Sequence, residues 1–307
     1  MYDKVVVVTR KTRLDGLIER FNTKEQARFY IEHAGLDFSD YVNEHERYDT
    51  ALRMIRTATA FRDRQQQLID RELLPTYQFG PHDLIVTLGG NGLVANTAKY
   101  VGRRPIVPIN PDTERFDAIL VPYKIDEAQS AIERALADAS PMREVTLAQA
   151  DLSDGQRLLA FNDLFIGART HVSARYRLSW HDTTEAQSSS GVIVSTGAGS
   201  SGWMSSVFNM TAGVSTFTGG SPGKTLRLPW DDPNLIFAVR EPFTSQRWKA
   251  GIVAGLLDPG ESLRLESMMP NEGVIFSDGV ESDYLEFGAG LVATIHAAPE
   301  RARLVWR

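Results

Sequence analysis

The segment Asp83-Leu-Ile-Val-Thr-Leu-Gly-Gly-Asn-Gly92 runs an apolar strand straight into a glycine-rich turn, with small residues from Ala95 to Tyr100 behind it. Glycines at a strand end let the backbone approach a ligand closely and aim N–H groups at phosphate. The bland alternative is a strand-to-helix connection whose glycines serve only positive φ. A second such unit is Gly191-Val-Ile-Val-Ser-Thr-Gly-Ala-Gly-Ser-Ser-Gly-Trp203. Its small side chains would admit a planar base or a phosphate, with Trp203 stacking or forming a wall. Against that, Trp203 is core and the glycines are packing space. Between the two runs, Asn162 and Asp163 precede the apolar Leu164-Phe-Ile166. Asn donates and accepts while a carboxylate accepts, so the pair could grip ribose hydroxyls; a turn or cap is the commoner use. Asp278-Gly279, after the strand-like Val274–Phe276, is either an acidic site at a strand end or a plain hairpin turn.

Other chemistry is narrowed by what the chain lacks. There are no cysteines, which removes disulfides, thiolate metal sites and cysteine nucleophiles. The six histidines (33, 45, 82, 171, 181 and 296) show no metal-ligand spacing. Gly219-Gly-Ser-Pro-Gly-Lys-Thr225 imitates a P-loop, but Thr218 stands at the first glycine position and no apolar strand leads in. A formal net charge of −6 argues against a nucleic-acid footprint. The opening Met1–Val8 reads as a strand flowing into a charged helix rather than a signal peptide, and no apolar run reaches membrane-spanning length. The expectation is a cytoplasmic protein acting on small molecules, with no nucleic-acid or membrane partner.

These residues need elements to position them. With 307 residues, 42% hydrophobic, the chain can build two cores. Residues 1–140 alternate strand and helix. Strands are expected at Val5–Val8, Leu84–Leu88 and Pro105–Ile109, with helix-rich sequence carrying Leu52, Ile55, Phe61 and Leu68. Ile125, Ala128, Ile132, Leu136 and Ala139 share one helical face, with a capping box from Asp126 and Gln129. That alternation predicts an α/β domain with a parallel, doubly wound sheet. Residues 141–307 read as a β-rich, sandwich-like second domain: short segments such as Tyr176–Trp180, Leu235–Val239, Gly251–Leu257, Ser262–Leu265, Gly273–Phe276 and Leu291–Ile295 lie between turn residues. One helix is expected after Gly202, and a mobile loop over Ser215–Lys224. One strand-glycine-turn unit per domain makes a cleft between domains the natural site.

Taken in order, the motifs resemble the NAD kinases over most of the chain, and the mitochondrial-type branch best. The resemblance rests on Lys11-Thr-Arg13, Gly89-Gly-Asn-Gly92, Pro105–Arg115, Asn162-Asp-Leu-Phe-Ile-Gly167, Ser189-Ser-Gly191, Thr196–Trp203, Arg240-Glu-Pro242 and Ser277-Asp-Gly279. It implies transfer of the ATP γ-phosphoryl group to the 2′-hydroxyl of the NAD adenosine ribose, giving NADP. Gly89, Gly90 and Gly92 would line the phosphates. Asn162 and Asp163 would hold a ribose, and Thr196, Gly199, Ser200, Ser201 and Trp203 would lie along the dinucleotide. Mg²⁺ would arrive with ATP, and a homodimer or homotetramer would form through the second domain. Two departures stand out. Asn91 occupies the position of the family's aspartate, regarded as the base, and cannot take a proton; Asp163 is then a substitute base. Leu93 stands where a threonine hydroxyl is common. The resemblance therefore leaves open an NAD kinase, a non-catalytic NAD(P)/ATP-binding protein, or a kinase for another hydroxyl substrate.

Overall fold

The structure, a computed structural model, describes residues 2–115 and 118–307; Met1, read as part of the opening strand, lies outside them. Two compact units divide it: residues up to Arg143 together with Arg303–Arg307, and Glu144–Ala302.

The first unit contains β1 (Lys4–Thr9), α1 (Arg13–Phe21), α2 (Lys24–His33), α3 (Ser39–Ala58), β2 (Gln65–Asp70), β3 (Asp83–Leu88), α4 (Asn91–Ala98), β4 (Pro105–Asn110), β5 (Tyr123–Lys124) and α5 (Ala128–Leu136). Its strands run parallel in the order β2-β1-β3-β4, with β5 beside the end of β4. The β-branched run Val5–Val8 is fully buried, as a sheet covered on both faces requires. At about 1.5–3 kcal/mol for each buried aliphatic side chain, such strands supply most of this unit's driving force. On one face Val5, Val7, Leu84, Val86, Leu88, Val107 and Ile109 pack against Tyr48, Ala51 and Ile55 of α3 and Ala128, Ala131, Ile132 and Ala135 of α5. Helices α1 and α2 form a satellite core around Leu14, Ala27, Ile31 and Phe38.

The second unit holds β6 (Met142–Leu152) from Glu144 on, β7 (Arg157–Ala160), β8 (Asp163–Ala168), β9 (Ala174–Trp180), β10 (Thr183–Ser189), β11 (Val192–Ser195), α6 (Trp203–Phe217), β12 (Leu235–Val239), β13 (Ala254–Leu257), β14 (Leu263–Ser267), β15 (Gly273–Ser277), β16 (Val280–Glu286) and β17 (Val292–Val305) up to Ala302. Six strands pair antiparallel in the order β13-β12-β11-β8-β15-β16. The strands of that sheet alternate cleanly. Leu164, Ile166, Val192, Val194, Leu235, Phe237 and Ile275 join the core built with the strands β9, β14 and β17. Their neighbours Phe165, Ile193, Ile236, Ala238 and Val274 face Met204 and the flanking residues of α6. This period of two is what a sheet buried on both faces, one of them by a helix, demands.

The α/β and β-rich classes hold, and local expectations fail in instructive places. Leu68 belongs to the polar strand β2, not to a helix. The expected cap at Asp126 and Gln129 is absent; a single 3₁₀ turn, Ile125–Glu127, precedes α5, and Glu127 Oε2 accepts the Lys124 N–H at 2.8 Å. Residues Ser215–Phe217 continue α6 instead of opening a loop. The C-terminal half of that uncharged helix exposes Met210, Val214 and Phe217. No helix among the described residues is long and apolar enough to cross a membrane.

Candidate functional site

In the first unit the strand order itself marks a position. Connections leave β1 toward β2 on one side and β3–β4 on the other, so the order reverses between β1 and β3, where ligands sit in open parallel sheets. The loops that part there are Arg10–Thr12 and Gly89–Gly92. The latter turns β3 into α4, with Gly90 as N-cap at φ −92°. None of Gly89, Gly90 or Gly92 has a positive φ, so the glycines are not there for left-handed backbone. A Cβ on Gly89 would press Leu93 at 2.8 Å, but one on Gly90 or Gly92 would meet nothing within 4 Å. The fold therefore does not require glycine at those two positions, whereas an approaching phosphate would. The N–H groups of Gly90, Asn91 and Gly92 make no hydrogen bond among the described residues, leaving the donors a helix N-terminus offers an anion. Asn91 is half-buried, and its Oδ1 accepts the Leu120 N–H at 2.9 Å.

In the second unit, Asp163, Thr196 and Asp278 form one constellation. Strands β8 and β11 pair with Asp163 opposite Ser195. The Asp278 carboxylate accepts N–H groups from Phe161 (3.0 Å), Asn162 (2.6 Å) and Asp163 (3.2 Å), and the Asp278 N–H donates to the Asp163 carbonyl at 2.9 Å. Asp278 and Gly279 both adopt positive φ (55° and 69°), a hairpin turn joining β15 to β16. The hairpin reading of this turn is the one the structure shows, and the turn aims the Asp278 carboxylate at the backbone leading into the strand that carries Asp163. The Asp163 side chain is 9% exposed, and its Oδ1 is buried with no hydrogen-bond partner among the described residues. Burial drives its carboxyl up to about 7, and the nearby Asp278 charge pushes the same way against the opposing Ser195 hydroxyl. The Ser195 hydroxyl also lies within donating distance of the carbonyls of Thr196 (3.2 Å) and Asn162 (3.5 Å), which compete for its one proton. An orphaned carboxylate near neutrality suits accepting a ligand hydroxyl.

The glycine run of this unit is of a different kind. A Cβ on Gly197 would fall 1.7 Å from the Pro229 carbonyl oxygen, and one on Gly199 2.2 Å from that of Asn162. Both glycines are demanded by packing. The Thr196 hydroxyl donates to the Phe161 carbonyl (2.6 Å) and accepts the Gly199 N–H (3.2 Å). The Ser200 hydroxyl donates to Gly197 O (2.7 Å) and accepts from Leu228 N (3.3 Å). Ser201 is exposed. Trp203 stacks on Phe165, ring centroids 5.7 Å apart, and the Arg240 guanidinium lies over the Trp203 ring at 5.4 Å. Sequence reasoning did not assign Asp278 to Asp163, because their pairing depends on β8 and β15 being neighbours. No group of three or more His, Asp or Glu among the described residues is arranged to hold a metal.

No family model and no curated protein matches this sequence. Solved structures do resemble it. Yeast NADH kinase in complex with NADH aligns at 15% identity and TM-score 0.58, covering 100% of this chain and 84% of that one. An NAD kinase from Archaeoglobus fulgidus in complex with ATP aligns at 16% identity and TM-score 0.54, covering 98% and 93%. At such identities the likeness is one of fold: the chain has the two-domain fold of the NAD(H) kinases.

Proposed function

We propose that this chain is an NAD kinase-like phosphotransferase, carrying the γ-phosphoryl group of ATP to the 2′-hydroxyl of the adenosine ribose in NAD to give NADP. The observation that carries the reading is the Gly89–Gly92 turn: at Gly90 and Gly92 the fold does not require glycine, and the N–H groups of Gly90, Asn91 and Gly92 have no partner among the described residues, at the reversal point of a sheet whose relatives in fold bind ATP and NADH. In this reading Gly89, Gly90 and Gly92 line the phosphates, while Asn162 and Asp163 take a ribose of the dinucleotide. The 2′-oxygen forms its bond to the γ-phosphorus as the bond to the β-phosphate oxygen breaks and ADP leaves. Mg²⁺, held mainly by the phosphates and water, neutralises their charge. The released proton goes to Asp163, because the Asn91 amide has no basic lone pair to offer. Thr196, Gly199, Ser200, Ser201 and Trp203 shape the dinucleotide's surroundings, and the second unit carries the contact of a cytoplasmic homodimer or homotetramer.

A second reading is favoured by Asn91 itself. With its carbonyl already engaged by Leu120 N–H, the chain would bind NAD(P) or ATP without turning over. NADP formation from NAD and Mg·ATP separates the two. The kinase reading expects turnover by the native chain that falls by about 10²–10⁴ in Asp163→Asn, the usual size of general-base catalysis. Tight NAD binding without turnover, rescued by Asn91→Asp, would establish the binding protein instead.

A further inference from the structure

Tyr48 occupies an unusual place in the first unit. Strands β1 and β3 pair in register from Lys4↔Asp83 to Val8↔Thr87. One more rung of that parallel ladder would bond the Arg10 N–H to the Leu88 carbonyl. The direct bond is not made. The Tyr48 hydroxyl, reaching in from α3, accepts the Arg10 N–H at 2.9 Å and donates to the Leu88 carbonyl at 3.1 Å. A side-chain hydroxyl thus bridges the main-chain groups of the last rung. The residue is 6% exposed, packed among the strand valines and leucines, so the hydroxyl is buried and both its partners are backbone. Its ring also lies under the Arg10 guanidinium, 5.1 Å away, which pairs with Glu44 at 3.1 Å. The bridged rung is the one between β1 and β3, where the strand order reverses. Immediately beyond it the chain continues into Arg10–Thr12 on one side and Gly89-Gly90 on the other.

We propose that Tyr48 is a positioning residue for polyphosphate binding: its hydroxyl, set into the final β1–β3 rung, keeps the two loops apart so that the N–H groups of Gly90, Asn91 and Gly92 stay open to a phosphate. A purely structural tyrosine would need only its ring, since the ring supplies the apolar contact with α3 and the sheet. The hydroxyl is the part with a job at the strand ends. Removing it lets Arg10 N–H close directly on Leu88 O, drawing the loops together. The inference rests on the proposed reading of the glycine turn as a phosphate cradle.

The test is calorimetric titration of Mg·ATP and, separately, of NAD into the full chain and into Tyr48→Phe, with a crystal structure of the variant. The expected result is Mg·ATP affinity weakened about tenfold, the effect of one misplaced hydrogen-bonding group, with NAD affinity and fold unchanged. The variant's structure should show Arg10 N and Leu88 O at direct bonding distance. If the native chain binds Mg·ATP and Tyr48→Phe binds it equally well, the assignment of Tyr48 is overturned while the cradle stands. A parallel loss of Mg·ATP and NAD binding with a lowered melting temperature would also overturn it, as generic destabilisation. Native protein that binds no Mg·ATP at all sinks the cradle reading and the inference with it.

Discussion

Two side chains, Asn91 and Asp163, divide the question of where a proton can go. Asn91 is anchored by Leu120 and has no proton affinity to offer. Asp163 sits at the other extreme, a buried carboxyl group with one oxygen unpartnered among the described residues and its pKa raised from 3.8 to about 7. That shift is also a statement about stability. The folded chain keeps this proton at pH values where the unfolded chain has released it. Stability from this group therefore falls as the pH rises from about 4 to about 7 and levels off above. The full cost is on the order of 4 kcal/mol. Asp163→Asn should accordingly melt at a higher temperature than the parent at pH 8, with the advantage shrinking as the pH drops toward 4. Parallel melting curves across that window check it; a pH-independent difference would mean that the carboxyl is not held neutral by the fold.

At the scale of elements, the two glycine turns look alike in sequence and behave oppositely in structure. The turn before α6 needs its glycines because carbonyls of neighbouring segments crowd in: Asn162 O against Gly199, Pro229 O against Gly197. The turn before α4 is free of such crowding at Gly90 and Gly92. Gly199→Ala should therefore destabilise the second unit by about 1–3 kcal/mol through overpacking. Gly92→Ala lies inside a helix with open space around it and should stabilise by about 0.5–1 kcal/mol, yet weaken Mg·ATP binding by crowding the cradle. Thermal melts beside titrations resolve this crossing of effects; Gly92→Ala binding at full strength would leave the turn a mere connection. The pattern of strands and helices around these turns was legible wherever burial on both faces forced continuous apolar runs, as in Val5–Val8 and Leu235–Val239. It was illegible where an element is polar or interrupted. Strand β2 begins Gln65-Gln-Gln67, and β17 carries Pro299 and Glu300 in mid-course. Likewise, helical spacing accounts for Tyr48 as core, but only the β1–β3 register reveals what its hydroxyl touches.

For the molecule as a whole, the decisive long-range fact is the destination of the last residues. The sequence places Leu304 and Val305 at the end of a β-rich half, and nothing local says otherwise. In the structure Arg303 and Leu304 pair in parallel with Pro105 and Ile106 of β4. Leu304 and Val305 are fully buried, and Trp306 N–H donates to the Pro141 carbonyl at 2.8 Å. The first unit's sheet is thus completed by residues made after the whole second unit, a contact spanning nearly two hundred positions that no periodicity can announce. Loop closure over so long a stretch is slow and adds entropy cost, so the first unit should fold last and report on the tail. Truncation after Ala302 exposes the flank of β4 and removes two buried aliphatic side chains, worth about 3–6 kcal/mol together. The expected outcome is a melting temperature lower by on the order of 10 °C. Hydrogen exchange should quicken in β3, β4 and α5, while β8, β11 and β12 keep their protection. Because the glycine turn hangs on β3, Mg·ATP binding should fall in the same variant, whereas NAD binding assigned to the second unit should survive. Uniform loss of protection through both units would show instead that they unfold as one.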